Sequence, residues 1–132
     1  MFEQDYLMRL IKEMVRAILK LLFKIDTDSP TADLLKDEAQ KETLAELLKQ
    51  VDEGNINEAE NQVYEMTAEG DLTNLQIALI FYSYLNDKPD GFLQAHDFSR
   101  EEVKSGLESV VSGYGLDSMS DAFLDGYDFL SN

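Results

Sequence analysis

The residues able to move a proton gather around His96, the one histidine of the chain, with Asp97 beside it and the acidic pair Glu101 and Glu102 close behind. An imidazole next to carboxylates is the raw material of general acid–base chemistry. Acids at a helix start, however, are already explained by capping and by the positive end of the helix dipole. A single histidine also excludes a two-histidine metal site, and the absence of cysteine excludes thiolate ligands, cysteine nucleophiles and disulfides together. Ser112 lacks the glycine-flanked elbow of a hydrolase nucleophile. Gly113, Tyr114 and Gly115 follow no strand and lack the third glycine of a phosphate-cradling loop.

The abundance of acids makes calcium the remaining metal to test. With Gly91 as the loop glycine, positions one, three, five and twelve fall on Asn86, Lys88, Asp90 and Asp97, which puts a cation where a ligand belongs. With Gly126 instead, Asp121 and Asp125 fit but Phe123 occupies position three. Both loops fail. The expectation is a protein without a catalytic constellation, a cofactor or a metal, and not an enzyme.

Such side chains need elements to hold them. The chain has 132 residues, 44% of them hydrophobic, including six Tyr and seven Phe, which is apolar enough to fold as one domain despite a net charge of −16. Charge is unevenly placed. Residues 1–25 hold five basic and three acidic side chains, a net of +2, and residues 26–132 hold six basic and 24 acidic, a net of −18. The acidic part repels phosphates, so no nucleic-acid partner is expected. The lack of cysteine fits a reducing compartment, with the cytoplasm as the expected location. Charges every three or four residues in the opening segment leave no signal-peptide core. The longest uncharged run, Leu72 to Asn86, is 15 residues and too short to cross a bilayer.

Helical periodicity organises the rest. Leu7, Leu10, Ile11, Met14, Val15, Ile18, Leu21, Leu22 and Ile25 fall on one half of a helix, with Arg9, Lys12, Glu13, Arg16, Lys20 and Lys24 opposite. Within the apolar half, Leu7, Ile11, Met14, Ile18, Leu21 and Ile25 are spaced 4-3-4-3-4, the rhythm of helix-to-helix seams, and these six are the candidate interface residues. A second helix is predicted from a Ser29 cap and Pro30 to about Glu53, ending at Gly54. A third opens with Asn57 capping and Glu60 three residues on. A fourth begins at a Thr73–Gln76 box, with Leu72 stapled on Ile77, and runs to about Asn86. Its near-continuous apolar content makes it the central helix. Pro89 to His96 reads as a turn or one-turn helix. A fifth helix follows from the Ser99–Glu102 box to Gly113 or Gly115, with Phe98 stapled on Val103, and a last short helix from Ser118 to about Leu130. The fold class is therefore all-α, five or six helices in a compact bundle of hairpins, as a helix over 1–25 and an acidic helical domain over 26–132 within one domain overall.

Two resemblances accompany this reading. Leu47, Leu48, Val51, Gly54, Ile56, Glu58, Ala59 and Val63 resemble the turn and second helix of a tetratricopeptide repeat, over one unit only. The opening Gln4 to Ile11, together with Phe98 to Glu102 and Gly106 and Leu107, is similar to a family of small bacterial proteins known only as a domain of unknown function. That likeness spans most of the chain and implies no activity. The expectation is a non-enzymatic protein-interaction module that self-associates, as a dimer, through its N-terminal helix or receives a protein partner there. The alternative is a peripheral membrane protein whose basic amphipathic helix, residues 1–25, lies on an anionic surface. The acidic and aromatic run from Asp121 to Leu130 suits either docking on the protein's own core or folding on a partner.

Overall fold

The apolar stripes read above become six helices in chain order. The computed structural model describes residues 2–116, with side chains from Gln4 onward. The elements are α1 (Phe2–Phe23), α2 (Glu38–Asp52), α3 (Ile56–Thr67), α4 (Leu72–Asn86), α5 (Asp90–Ala95) and α6 (Arg100–Gly113), with one 3₁₀ turn at Ala32–Leu34. There is no strand among the described residues. The expected last helix, from Ser118, lies outside them.

α4 is the axis. Leu75, the run Ile77 to Tyr82, Leu85 and Asn86 are all buried, because α1, α2, α3 and α6 pack around it. α1 contributes Leu10, Ile11, Met14, Val15, Ile18 and Leu19 to the same hydrophobic core. The hairpin of α2 and α3 adds Leu44, Leu47, Val51, Ile56, Ala59 and Val63. Its turn depends on Gly54, whose φ of +90° ordinary side chains avoid.

Three polar contacts fix the directions. Asn86 Nδ2 donates to the Met8 carbonyl at 2.9 Å, so α1 runs antiparallel to α4. Gln4 Nε2 donates to Glu101 Oε1 at 3.3 Å, so α6 starts beside the start of α1 and runs parallel to it. Tyr114 Oη donates to the Asp71 carbonyl at 2.5 Å, which ties the end of α6 to the first turn of α4.

Several helix starts differ from the sequence expectation. The second helix does not begin at Ser29. Thr31 caps the 3₁₀ turn, Leu35 takes an extended conformation that buries its side chain, and Asp37 caps α2 by accepting from Ala39 N at 2.9 Å. The turn thus buries Leu35 in place of the first two turns of the expected helix. α3 starts two residues early, after Asn55, and Asn57 lies inside it. α4 is capped by Asp71, which accepts from Thr73 N at 2.7 Å, so Thr73 is inside the helix. The Leu72 staple is not formed: Leu72 is 55% exposed while Ile77 is buried. The Ser99–Glu102 box does form, Ser99 Oγ accepting from Glu102 N at 3.2 Å and donating to Glu102 Oε1 at 3.2 Å. Phe98 and Val103 beside it are buried.

Candidate functional site

The six candidate interface residues do not share one environment. Ile11, Met14 and Ile18 are buried inside their own chain, against α4 and α6. Leu7 and Ile25 are half-buried, and Leu21 is 59% exposed. An amphipathic stripe has the same pattern whether its cover is its own chain or another. Here the chain itself covers α1 as far as Leu19.

What remains open is the end of α1. Leu22 lies four, seven and eleven residues after Ile18, Val15 and Ile11, at the centre of the core-facing stripe, yet it is 36% exposed. The cause is a mismatch of helix lengths. From their meeting at Gln4 and Glu101, α1 rises about 28 Å to Phe23 while α6 rises only about 18 Å to Gly113, leaving the last two turns of α1 uncovered by α6. A shallow groove of about 270 Å³, shared by Phe23, Ile25, Leu34, Thr73 and Gln76, places this end of α1 beside the start of α4, where Leu72 is exposed. Leu21 and Leu22 thus form an exposed apolar ledge at the end of α1, and Leu72 is separately exposed at the start of α4. Lys20 and Lys24 are exposed at the edge of the ledge, Lys20 lying 3.9 Å from Asp26.

The proton-transfer candidates are dispersed. His96 packs its ring over Gly54, where any β-carbon would collide with it, and tilts against Phe92 at 4.6 Å between ring centroids. Asp97 has a φ of 57° in the turn after α5, Glu101 accepts from Gln4, and Glu102 serves the helix cap. These residues hold loops and helix ends and form no relay. The calcium-spaced residues part likewise. Asn86 is buried at the end of α4, Lys88 binds Asp52, and Asp90 pairs with Arg100. Among the described residues no group of three or more histidine or acidic side chains is arranged to hold a metal. The loop around Gly126 lies outside them.

Two polar clusters escaped sequence reasoning. In the first, Glu60 Oε2 accepts from Tyr82 Oη at 2.8 Å and from Tyr64 Oη at 3.1 Å. Burial raises the Glu60 carboxyl above its ordinary value, the two phenols oppose this, and nearby Glu102 adds to it. The same burial, with the Glu60 charge, pushes the Tyr82 phenol far up, so it remains a donor. Gly106 makes room for the cluster, since a β-carbon there would collide with Glu60 Oε2 and lie 2.7 Å from Tyr82 Oη. That mid-helix glycine was the available signal for a close approach.

In the second cluster Arg100 is 2% exposed. Its Nη1 donates to the Asn86 carbonyl at 2.6 Å, and its Nη2 donates to the Lys88 carbonyl at 3.0 Å and to the Asp90 carboxylate. A guanidinium thus ties α6 to the end of α4 and the start of α5. Beside it Lys88 Nζ donates to Asp52 Oδ1 at 2.7 Å and lies 4.8 and 4.9 Å from the ring centroids of Tyr84 and Phe92. Lys88 and a hydrogen bond from Tyr84 hold the Asp52 carboxyl below its usual range. In a sequence, Arg100 is indistinguishable from any polar residue after a cap.

Among the described residues no helix is long and apolar enough to cross a membrane. Residues 1–115 match the model of DUF6483, a family of unknown function. No curated protein and no solved structure matches the chain.

Proposed function

We propose, from the premise that this chain belongs to that family of unknown function, that it is a non-enzymatic helical interaction module. Its docking surface is the ledge at the end of α1. The observation that carries this reading is Leu22, a residue on the core-facing stripe left 36% exposed beside exposed Leu21. Exposed apolar side chains beside charged ones are a usual mark of a protein-binding surface. Lys20 and Lys24 belong to the only part of the chain with a net positive charge, so the chemistry that fits is an acidic and apolar segment of a protein chain. Self-association through the N-terminal helix becomes one case of this docking, with the segment supplied by a second copy. The lipid-surface alternative is supported less, because lipid would have to replace cover that α4 and α6 already give Ile11, Met14 and Ile18.

The test is a titration followed by amide chemical shifts, using a ten-residue peptide that alternates Asp with Phe and Leu. The expected result at millimolar peptide is movement of the amides of Leu21 and Leu22, weakened by salt and by Leu22→Asp. Shifts confined to other surfaces, or none, would overturn the reading.

A further inference from the structure

Among the described residues the exposed large aliphatic side chains are Leu21, Leu22 and Leu72. All lie at one end of the bundle, because α1 runs antiparallel to α4 and the groove lined by Phe23, Ile25, Thr73 and Gln76 separates the end of the first from the start of the second.

Their surroundings carry opposite charge. Lys20 and Lys24 flank Leu21 and Leu22, and all four are exposed. Leu72 closes the turn from α3 to α4, where Ala68 to Leu72 are exposed without a break and Glu69 and Asp71 are the charged members. Neither Lys24 nor Glu69 has an ion pair within its own chain among the described residues. One end of the molecule thus presents a basic apolar patch and, across the groove, an acidic apolar one. Held on packed helices, they do not close on each other. A twofold axis through the groove sets each on its counterpart in a second molecule, so the same contact is made twice.

We propose that the occupant of the ledge is a second copy of this chain, bound about such a twofold axis. Leu21 and Leu22 of each copy pack on Leu72 of the other, and Lys20 and Lys24 face Glu69 and Asp71. This rests on the ledge being a docking surface and names its partner. Three leucines from each copy fall short of the ~800 Å² per partner of a standard interface, so the dimer is weak, with a dissociation constant on the order of 0.1 mM. The net charge of −16 on each copy opposes approach, but 0.15 M salt confines that repulsion to about 8 Å, the range in which lysines meet acids.

Sedimentation equilibrium of the full chain in 0.15 M sodium chloride, from about 10 µM to 1 mM, tests this. The expected result is a mass that rises from 15.0 kDa toward twice that value and no further. The amides of Leu21, Leu22 and Leu72 should shift together over the same concentrations. Lys20→Glu combined with Lys24→Glu should weaken association at least tenfold, and Glu69→Lys several-fold, all at exposed positions. An equimolar mixture of the two variants should associate more tightly than either alone, which misfolded chains would not do. A mass constant up to 1 mM would overturn the proposal, as would growth beyond the dimer or shifts in α1 without Leu72. Charge variants without effect, or a mixture without recovery, would do the same. At about 10 µM, where the chain is monomeric, the acidic and apolar peptide tests the ledge alone. If it moves the ledge amides while the chain never dimerises, the docking surface stands and the second copy falls. If the chain dimerises as described while the peptide binds elsewhere, the second copy stands and the reading for acidic segments at large falls.

Discussion

Among the described residues the Glu60 carboxylate accepts hydrogen bonds from two phenols and from no basic side chain. Because its folded-state pKa is raised, the native state binds that proton more tightly than the unfolded chain does, and ionisation costs stability. The cost is complete above the folded pKa and fades as pH falls through it toward the unfolded value of ~4.3. Glu60→Gln keeps an acceptor for Tyr82 without the charge. It should raise the melting temperature at pH 8 by a few degrees, on the order of 1 kcal/mol, and lose that advantage by about pH 4. A thermal series of both proteins across that range measures it. Gly106→Ala should act oppositely, costing about 1–3 kcal/mol despite the better helix propensity of alanine, because Glu60 and the Tyr82 hydroxyl must give way. Adding Glu60→Ala should recover part of the loss, so a double-mutant cycle shows whether the collision is the cause. The mid-helix Gly106 signalled a close approach, but the role of Glu60 was not legible beforehand. Glu60 read as half of a capping box, whereas its partners are two tyrosines, one of them 22 residues away in α4.

The helices themselves were largely legible, because their signal is local and periodic. The buried α4, the hairpin closed by Gly54 and the Ser99 box of α6 each follow from spacing within a dozen residues. The misplaced starts were not legible in the same way. Asp37 and Asp71 took the caps assigned to Ser29 and Thr73, and at α2 the turn before the cap buries Leu35, a tertiary matter. These caps can be tested. Asp37→Ala should cost about 1 kcal/mol in chemical denaturation, whereas Ser29→Ala should change little, since Ser29 caps no helix. The end of α1 offers a gain instead. Lys24 has a φ of 60°, with Ile25 N reaching back to the Leu19 carbonyl at 3.2 Å, a closure that glycine makes without strain. Lys24→Gly should raise the unfolding midpoint by up to about 1 kcal/mol. The exposed ledge nearby was illegible for a different reason. Periodicity identifies which face of a helix is apolar, but the relative lengths of α1 and α6 decide how far along it the cover extends.

At the scale of the molecule the net charge of −16 dominates. Self-repulsion of this size is screened by salt, so the melting temperature at pH 7 should rise between 0.01 and 0.5 M sodium chloride. Lowering pH from 7 toward 5 should raise it as well, because Glu60 takes up a proton with a raised pKa in that direction. The Asp52 carboxyl, held down by Lys88, and the Asp26 carboxyl, held down by Arg16, act the other way, but only after pH drops below the ordinary carboxylate range. Melting should therefore rise as pH falls from 7 and fall again in stronger acid, and a steady fall from pH 8 to 5 at both salt concentrations would contradict it. The central position of α4 also bears on hydrogen exchange. A helix enclosed by four others cannot fray without dismantling all of them, so the backbone amides of Leu79, Ile80 and Phe81 should exchange only through global unfolding. Their exchange rates then give the free energy of the whole molecule in native buffer, without denaturant, while amides of Leu21 and Leu22 exchange orders of magnitude sooner.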